Sequence, residues 1–354
     1  LCAERSILLA PARVLPFEAK NTLACVLDVE KGLSDLTMAH ILEHAVTNSL
    51  AASALTSLVA VRSGMFWQEI PVTLQRESET SSPVRLRDGA AYLVLGGSGG
   101  IGRTFMEDLA ALAEEQRSHI TLLPLQRHPR PSGFWEQAAN EWTTILPYTA
   151  DSNDSDAFLK VIDEILKAHD DIGGIVHATG VTGGGLMQTQ TANIEDTDNW
   201  KAKIVPLSGM ERIMDSREVD FVVINTSIGA LCGSVGQLDN TAANILLDTW
   251  ASRQQSRRAA RVLSIRWDVW KQVGMINKMA SLHERLSGEE LAGGVTPAEA
   301  RRALGFCLEL ETPLPVVSGR SLLSMLEEAR GKRGLATDAL EAADLKVEGA
   351  APRP

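Results

Sequence analysis

The chain has 354 residues, 44% hydrophobic and 22% charged, enough for two domains or for one large α/β unit with an addition. Its net charge of -11 excludes the basic surface that nucleic-acid binding needs, and no apolar run approaches the roughly 18 residues of a membrane span. The first residue is Leu with no signal-peptide pattern after it, so the chain reads as part of something longer. Cys2, Cys25, Cys232 and Cys307 are scattered without metal-ligand spacing and read as buried thiols of a reducing, cytoplasmic compartment.

Residues 1–75 read as a small α/β piece. Ser6-Ile-Leu-Leu-Ala and Leu23-Ala-Cys-Val-Leu-Asp-Val are short apolar strand candidates, and residues 35–50 form a helix with Ser34 or Asp35 as its cap. Residues 60–70 read as strand, glycine turn and strand. So few strands make a thin core, so the piece is expected to dock on the next domain or on an upstream half. Residues 76–88 are polar, carry Pro83 and read as a linker.

From residue 89 strands and helices alternate. The apolar run 91–95 is followed at once by Gly96-Gly-Ser-Gly-Gly-Ile-Gly102 and then by a helical pattern over 101–115. Strand, glycine turn and helix is the setting in which such a motif approaches a pyrophosphate and offers it the N–H groups of a helix start. Strand 119–125, a Pro-rich basic loop, a helix near 133–140, strand 143–149 and helix 154–169 come next. Gly173-Gly-Ile-Val-His-Ala-Thr-Gly-Val is a buried strand ending in glycine. A helix near 194–216, strand 220–227, helix 241–254 and strand 261–267 complete the alternation, which predicts a doubly wound parallel sheet with ligands at its carboxyl edge. Residues 271–294 read as a lid, and a helix from Pro297, a strand at Pro315-Val-Val-Ser and a helix over 322–329 close the unit. Residues 330–354 have the composition of an interdomain linker.

Four segments resemble the ketoreductase domain of modular polyketide synthases, a short-chain dehydrogenase/reductase. They are Gly96-Gly-Ser-Gly-Gly-Ile-Gly, Val176-His-Ala-Thr-Gly-Val, Gly233-Ser-Val-Gly-Gln-Leu-Asp-Asn-Thr-Ala-Ala-Asn and Val316-Val-Ser-Gly-Arg-Ser-Leu. Leu8-Leu-Ala-Pro-Ala-Arg-Val-Leu-Pro and Val61-Arg-Ser-Gly-Met-Phe-Trp are similar to the latter part of that family's structural subdomain. The resemblance implies a Rossmann-like α/β fold: a partial structural subdomain over 1–75, a linker over 76–88, a catalytic-type unit over 89–330, and a linker over 331–354 toward a following domain such as a carrier protein.

It also implies NADPH, held by Gly96, Gly97, Ser98, Gly99, Gly100, Ile101 and Gly102, with Arg127 on the 2′-phosphate, Asp151 on the adenine amine and Gly180 beside the ribose. By themselves Arg127 reads equally as a surface arginine of a basic loop, and Asp151 as the cap of the helix near 154. The glycine turn puts the pocket roles first. The family's catalytic set is Lys, Ser, Tyr and Asn. Lys203, Ser227 and Asn244 fall on three of these positions, and the Tyr position holds Asn240. Ser227 lies 13 residues and Lys203 37 residues before it, and Asn244 one helical turn after, which are the family's spacings.

A carboxamide has no titratable proton near neutral pH, so Asn240 cannot serve as general acid, a loss of about 10²–10⁴ in rate. The family's Asn, Gly and Pro around a tryptophan are here Arg266, Asp268 and Val269, a carboxylate and bulk expected to hinder cofactor seating. The family's stereochemical markers are absent: its Leu-Asp-Asp stretch would fall near Val181-Thr-Gly-Gly-Gly, which holds no aspartate, and Cys232 stands where its alternative tryptophan would. The expected function is a reductase-type domain of a polyketide synthase that handles β-ketoacyl thioesters on a phosphopantetheine-bearing acyl carrier protein, reduces poorly or not at all, and scaffolds neighbouring domains. The alternatives are a working NADPH-dependent β-ketoacyl reductase with another proton source and an α-carbon epimerase. His177 reads as a core histidine, and the His40–His44 helix pair lacks a further metal ligand.

Overall fold

A computed structural model describes residues 3–19, 22–48, 54–74, 84–181, 183–189, 193–273 and 293–332. Most of the expected lid, most of the 76–88 linker, Thr182, Cys2 and nearly all of the C-terminal linker lie outside the described residues. Of the cysteines expected to be buried, Cys307 is, while Cys25 and Cys232 are only half-buried.

The N-terminal piece contains helices α1 (Ala3–Ser6) and α2 (Leu9–Glu18), strand β1 (Val26–Val29), helix α3 (Asp35–Thr47), and strands β2 (Leu58–Arg62) and β3 (Met65–Gln68). The expected strand over residues 6–10 is therefore a correction: it is the end of α1, a two-residue turn and the start of α2. A five-residue apolar run carries no period of its own, and Pro11 sits in the first turn of α2, where its missing N–H is not needed. Leu9 and Ala10 pack with Trp200, Ala242, Ala243 and Ile245. Ser34 caps α3, its hydroxyl accepting from Thr37 N at 3.1 Å. β1 runs parallel to β2, and β2 pairs antiparallel with β3 through a Ser63-Gly64 turn with positive φ at both residues.

The larger unit comprises β4 (Ala91–Leu95), α4 (Gly100–Gln116), β5 (Ile120–Gln126), β6 (Thr143–Ile145), β7 (Tyr148–Thr149), α5 (Ser155–Ala168), β8 (Ile172–His177), α6 (Asp198–Ser216), β9 (Phe221–Ser227), α7 (Gly229–Cys232), α8 (Leu238–Gln255), β10 (Arg261–Trp267), α9 (Pro297–Glu309), β11 (Val316–Val317) and α10 (Leu322–Lys332). Eight parallel strands lie in the order β11-β10-β9-β8-β4-β5-β6, with β7 also on β5. Chain direction across the sheet reverses between β4 and β8, the crevice where such sheets bind ligands. One face packs Phe105, Met106 and Leu109 of α4 against Leu122, Val223 and Leu263. The other packs Phe158 and Ile162 of α5, Met210 and Ile213 of α6 and Trp250 of α8 against Leu93, Leu123 and Val222.

Two expected elements change form around prolines. The 143–149 strand splits into β6 and β7 at Pro147, which has no N–H for the ladder. The helix near 133–140 is a 3₁₀ segment, Ser132–Ala138, entered through Pro129 and Pro131.

Candidate active site and cofactor cleft

The glycine turn joins β4 to α4 at the switch point. Gly96 has φ +80, and a Cβ there would lie 2.7 Å from Ala178 O. A Cβ on Gly102 would collide with the Gly96 carbonyl, so α4 begins this close to the turn only because residue 102 has no side chain. Gly99 is the N-cap, and the first N–H groups of α4 face out of the helix start. The expected residues Gly96, Gly97, Ser98, Gly99, Gly100, Ile101 and Gly102 thus form one cradle.

Arg127 and Asp151 follow the ends of β5 and β7 and face each other, with Nε 3.4 Å from Oδ1. Asp151 is not the cap of α5. That role belongs to Asp154, which accepts from Ala157 N at 2.9 Å, while Asp151 Oδ1 accepts from Asn153 N. Gly180 is exposed beyond β8.

Sequence reasoning missed two further cations here. Arg130 Nη2 donates to Ser98 Oγ at 3.2 Å, and the guanidinium groups of Arg103 and Arg130 each lie 5.2 Å from the centroid of the Phe134 ring. The Pro-rich basic loop was the signal, but nothing in it tells which arginine folds back onto the turn. Gln126 Oε1, at the end of β5, is buried with no partner among the described residues. A glycine cradle at a helix start, clustered guanidiniums and an orphaned acceptor together fit a phosphorylated dinucleotide.

Lys203, on α6, carries the catalytic-type cluster. Its Nζ donates to Asn240 Oδ1 at 2.8 Å and to Asn244 Oδ1 at 2.5 Å, both on α8. Asn240 Nδ2 donates to Gln237 Oε1, and Asn244 Nδ2 to Asn240 Oδ1, each at 3.3 Å. Burial pushes the Lys203 amine down to about 8, with the charges of Asp239 and Asp248 opposing that shift. Ser227 ends β9, its hydroxyl accepting from Gly229 N at 3.1 Å. Among the described residues no hydrogen bond joins it to the lysine–asparagine cluster.

Neither tyrosine of the chain supplies a phenol to this cluster. Tyr92 lies in the core near Phe221, its OH accepting from Arg87 N at 2.8 Å, and burial pushes it up to about 12. The Tyr148 hydroxyl lies 3.3 Å from His169 Nε2.

The placement of Lys203 has a local cause that sequence reasoning did not find. Pro206 lies inside α6 and cannot bond back to the Ala202 carbonyl. Thr179 Oγ1 donates to that oxygen instead, at 2.5 Å. His177 Nε2 donates to Lys203 O at 2.7 Å, while Nδ1 accepts from Thr179 N. The loop after β8 thereby holds the turn that carries Lys203. Thr179→Val is expected to orphan the Ala202 carbonyl and cost about 1–3 kcal/mol in urea unfolding. A cost within experimental error would mean that the carbonyl finds another partner.

Burial pushes the His177 imidazole from its ordinary 6.5 down to about 4. The unfolded chain therefore binds more protons between those values. The stability this neutral histidine gives is complete above about pH 6.5 and is lost as pH falls through about 4, about 3 kcal/mol in all. Urea unfolding across that window should show the unsubstituted chain losing this much more than His177→Gln. Parallel profiles would contradict a buried neutral imidazole.

The altered tryptophan segment is tied into the fold by hydrogen bonds. Asp268 does not present a bare carboxylate. Its Oδ2 accepts from Ser318 Oγ at 2.9 Å, Gly294 N at 3.2 Å and Gly319 N at 3.3 Å, and Oδ1 from Val269 N at 2.8 Å. Arg266 turns onto α8 and the residue after β3: Nε donates to Asp248 Oδ2 at 2.7 Å, and Nη1 lies 3.6 Å from Glu69 Oε1. Glu18 was also missed. Its carboxylate accepts from Met187 N and Gly236 N, so α2 braces two loops beside the cleft.

A parallel sheet with a glycine turn at its switch point, and a lysine held on the neighbouring helix, is the architecture of Rossmann-like short-chain dehydrogenase/reductases. The sequence profile of the KR domain matches residues 90–272, just over half of the chain, and the chain belongs to that family, the ketoreductase domains of modular polyketide synthases. It is 27% identical over 198 residues to Polyketide synthase PksN of Bacillus subtilis, an alignment covering 53% of this chain and 4% of that synthase. The ketoreductase from the first module of phoslactomycin biosynthesis in Streptomyces sp. HK803 superposes with TM-score 0.74 at 21% identity, covering 95% of this chain and 75% of that one. An N-terminal ketoreductase from the macrolactin assembly line gives TM-score 0.72 at 18% identity, covering 92% and 62%. The chain thus spans a small fraction of the synthase it matches.

Proposed function

We propose that this domain takes β-ketoacyl thioesters from an acyl carrier protein within a polyketide synthase and reduces them poorly, because Asn240 stands where the proton donor belongs. The observation that carries this reading is the lysine cluster: Lys203 Nζ is held by two carboxamide oxygens, and the Asn240 side chain has no acid to give. The glycine cradle, with Arg127, Asp151 and Gly180 around it, receives NADPH, and Arg130 adds to its phosphate end. When bound, NADPH supplies the hydride. Ser227 donates a hydrogen bond to the substrate carbonyl, a contribution of about 10²–10³ in rate, and Asn244 fixes the lysine. Residues 1–75 brace the catalytic-type unit as a partial structural subdomain, and residues 331–354 lead toward the carrier protein.

One observation favours α-carbon epimerisation as a second reading. With the Lys203 amine pushed down to about 8, a fraction of it is neutral near pH 7 and able to take a proton. Two measurements separate the readings. Titration with NADPH reports cofactor uptake apart from chemistry. A carrier-bound α-deuterated β-ketoacyl chain reports exchange apart from reduction. The proposal expects NADPH uptake with little deuterium loss. Rapid washout without NADPH oxidation would replace it with epimerisation.

A further inference from the structure

A second cavity, of about 460 Å³, lies between the N-terminal piece and α8 and shares no residue with the glycine-turn cleft. Its wall is mixed: Leu9, Trp67, Ile245 and Leu314 form an apolar side, and polar and charged residues form the rest, among them Arg13, whose Nε donates to Thr56 O, and Arg266, 8% exposed. A guanidinium offers five N–H donors. The Nε edge of Arg266 is committed to Asp248, whose carboxylate is fixed by Ser264 Oγ at 2.7 Å and Thr226 Oγ1 at 3.0 Å. The Nη end meets only Glu69 among the described residues, at 3.6 Å, beyond hydrogen-bond length. The Glu69 side chain is 45% exposed, so water can receive it if it leaves. A buried fork, a loosely held carboxylate in front of it and an apolar wall alongside describe a site for a molecule with the same two parts.

We infer that this cavity binds a small amphipathic carboxylate, whose head replaces Glu69 on the Arg266 fork and whose apolar body lies against Leu9, Trp67, Ile245 and Leu314. Small-molecule sites pair apolar surface with placed polar groups that fix orientation, and the apolar side and the Arg266 fork are those two parts here. A planar carboxylate matches the guanidinium edge in two parallel hydrogen bonds, which Glu69 does not form. The Asp248 carboxylate is hydrogen-bonded by Arg266 Nε and the two hydroxyls, and the ligand head takes the place of the Glu69 carboxylate on the Nη end instead of adding a third anion to it.

The test is calorimetric titration of the full chain with octanoate, with octanol and acetate as controls. Octanoate should bind, and octanol and acetate at least about tenfold more weakly, since each lacks one half of the contact. Glu69→Gln, on a half-exposed side chain, removes the internal competitor and should tighten octanoate about tenfold. Ser252→Phe fills the cavity without touching a charge and should abolish binding while the thermal melt stays cooperative. Absence of octanoate binding by both the unsubstituted chain and Glu69→Gln at millimolar concentration overturns the proposal. So do equal binding of octanol and octanoate, and undiminished binding by Ser252→Phe.

Discussion

Asn240→Tyr is expected to raise the rate of NADPH-dependent reduction of a β-ketoacyl thioester by about 10²–10⁴. The expectation rests on what already surrounds residue 240. Lys203 Nζ lies 2.8 Å from Asn240 Oδ1, so a side-chain oxygen there already meets the amine. Asn244, one turn on, accepts from the same amine. A phenol in that place would gain an ammonium neighbour that favours its ionised form, which brings its proton within reach of the chemistry. Residue 240 is half-buried, and its other side-chain contacts are 3.3 Å hydrogen bonds to Gln237 and Asn244, which a ring can displace at small cost. Steady-state oxidation of NADPH at saturating thioester reads the gain. An unchanged rate would show that the missing acid is not the limiting defect.

The second large effect concerns stability. Asp248 is 3% exposed and takes hydrogen bonds from Thr226, Ser264 and Arg266. Asp248→Ala leaves the Arg266 guanidinium buried with only Glu69 at 3.6 Å, and should cost about 3–5 kcal/mol in urea unfolding. The hydroxyls suffer less, because Thr226 and Ser264 lie 3.0 Å apart and can bond each other. Replacing both partners, Asp248→Leu with Arg266→Met, should recover most of the loss, since an apolar pair of similar volume carries no unpaired charge. A single substitution costing under about 1 kcal/mol would mean that water already reaches Arg266.

Much of the larger unit was legible because its signals are local and repeated. The glycine turn follows a five-residue buried strand, and strands and helical periods alternate after it. Ser34 announces its helix as a cap three residues before the backbone N–H it binds, whereas the cap of α5 is Asp154 and not the Asp151 that the sequence offered. The run at residues 6–10 failed because its burial is decided by α8, more than two hundred residues away, not by a period of its own. Lys203, Asn240 and Asn244 were found together because a helical turn and family spacing converge on them. Thr179 was not, because its role follows from a proline on another element. Glu18 binds backbone groups 169 and 218 residues away, and no local pattern encodes that. Arg266 and Asp268 stood out as unusual residues, yet what they do depends on β3, α8 and the loop after β11, which only the fold brings to them.

The most direct measurement is a single-turnover assay of the unsubstituted chain, in excess over a carrier-bound β-ketoacyl substrate, at saturating NADPH. The domain is expected to form the β-hydroxy product at least about 10² more slowly than Asn240→Tyr under the same conditions. Conversion by the unsubstituted chain at the rate of an ordinary enzyme, about 1 s⁻¹ or faster, would contradict that account and place a working proton source at the lysine cluster without a tyrosine.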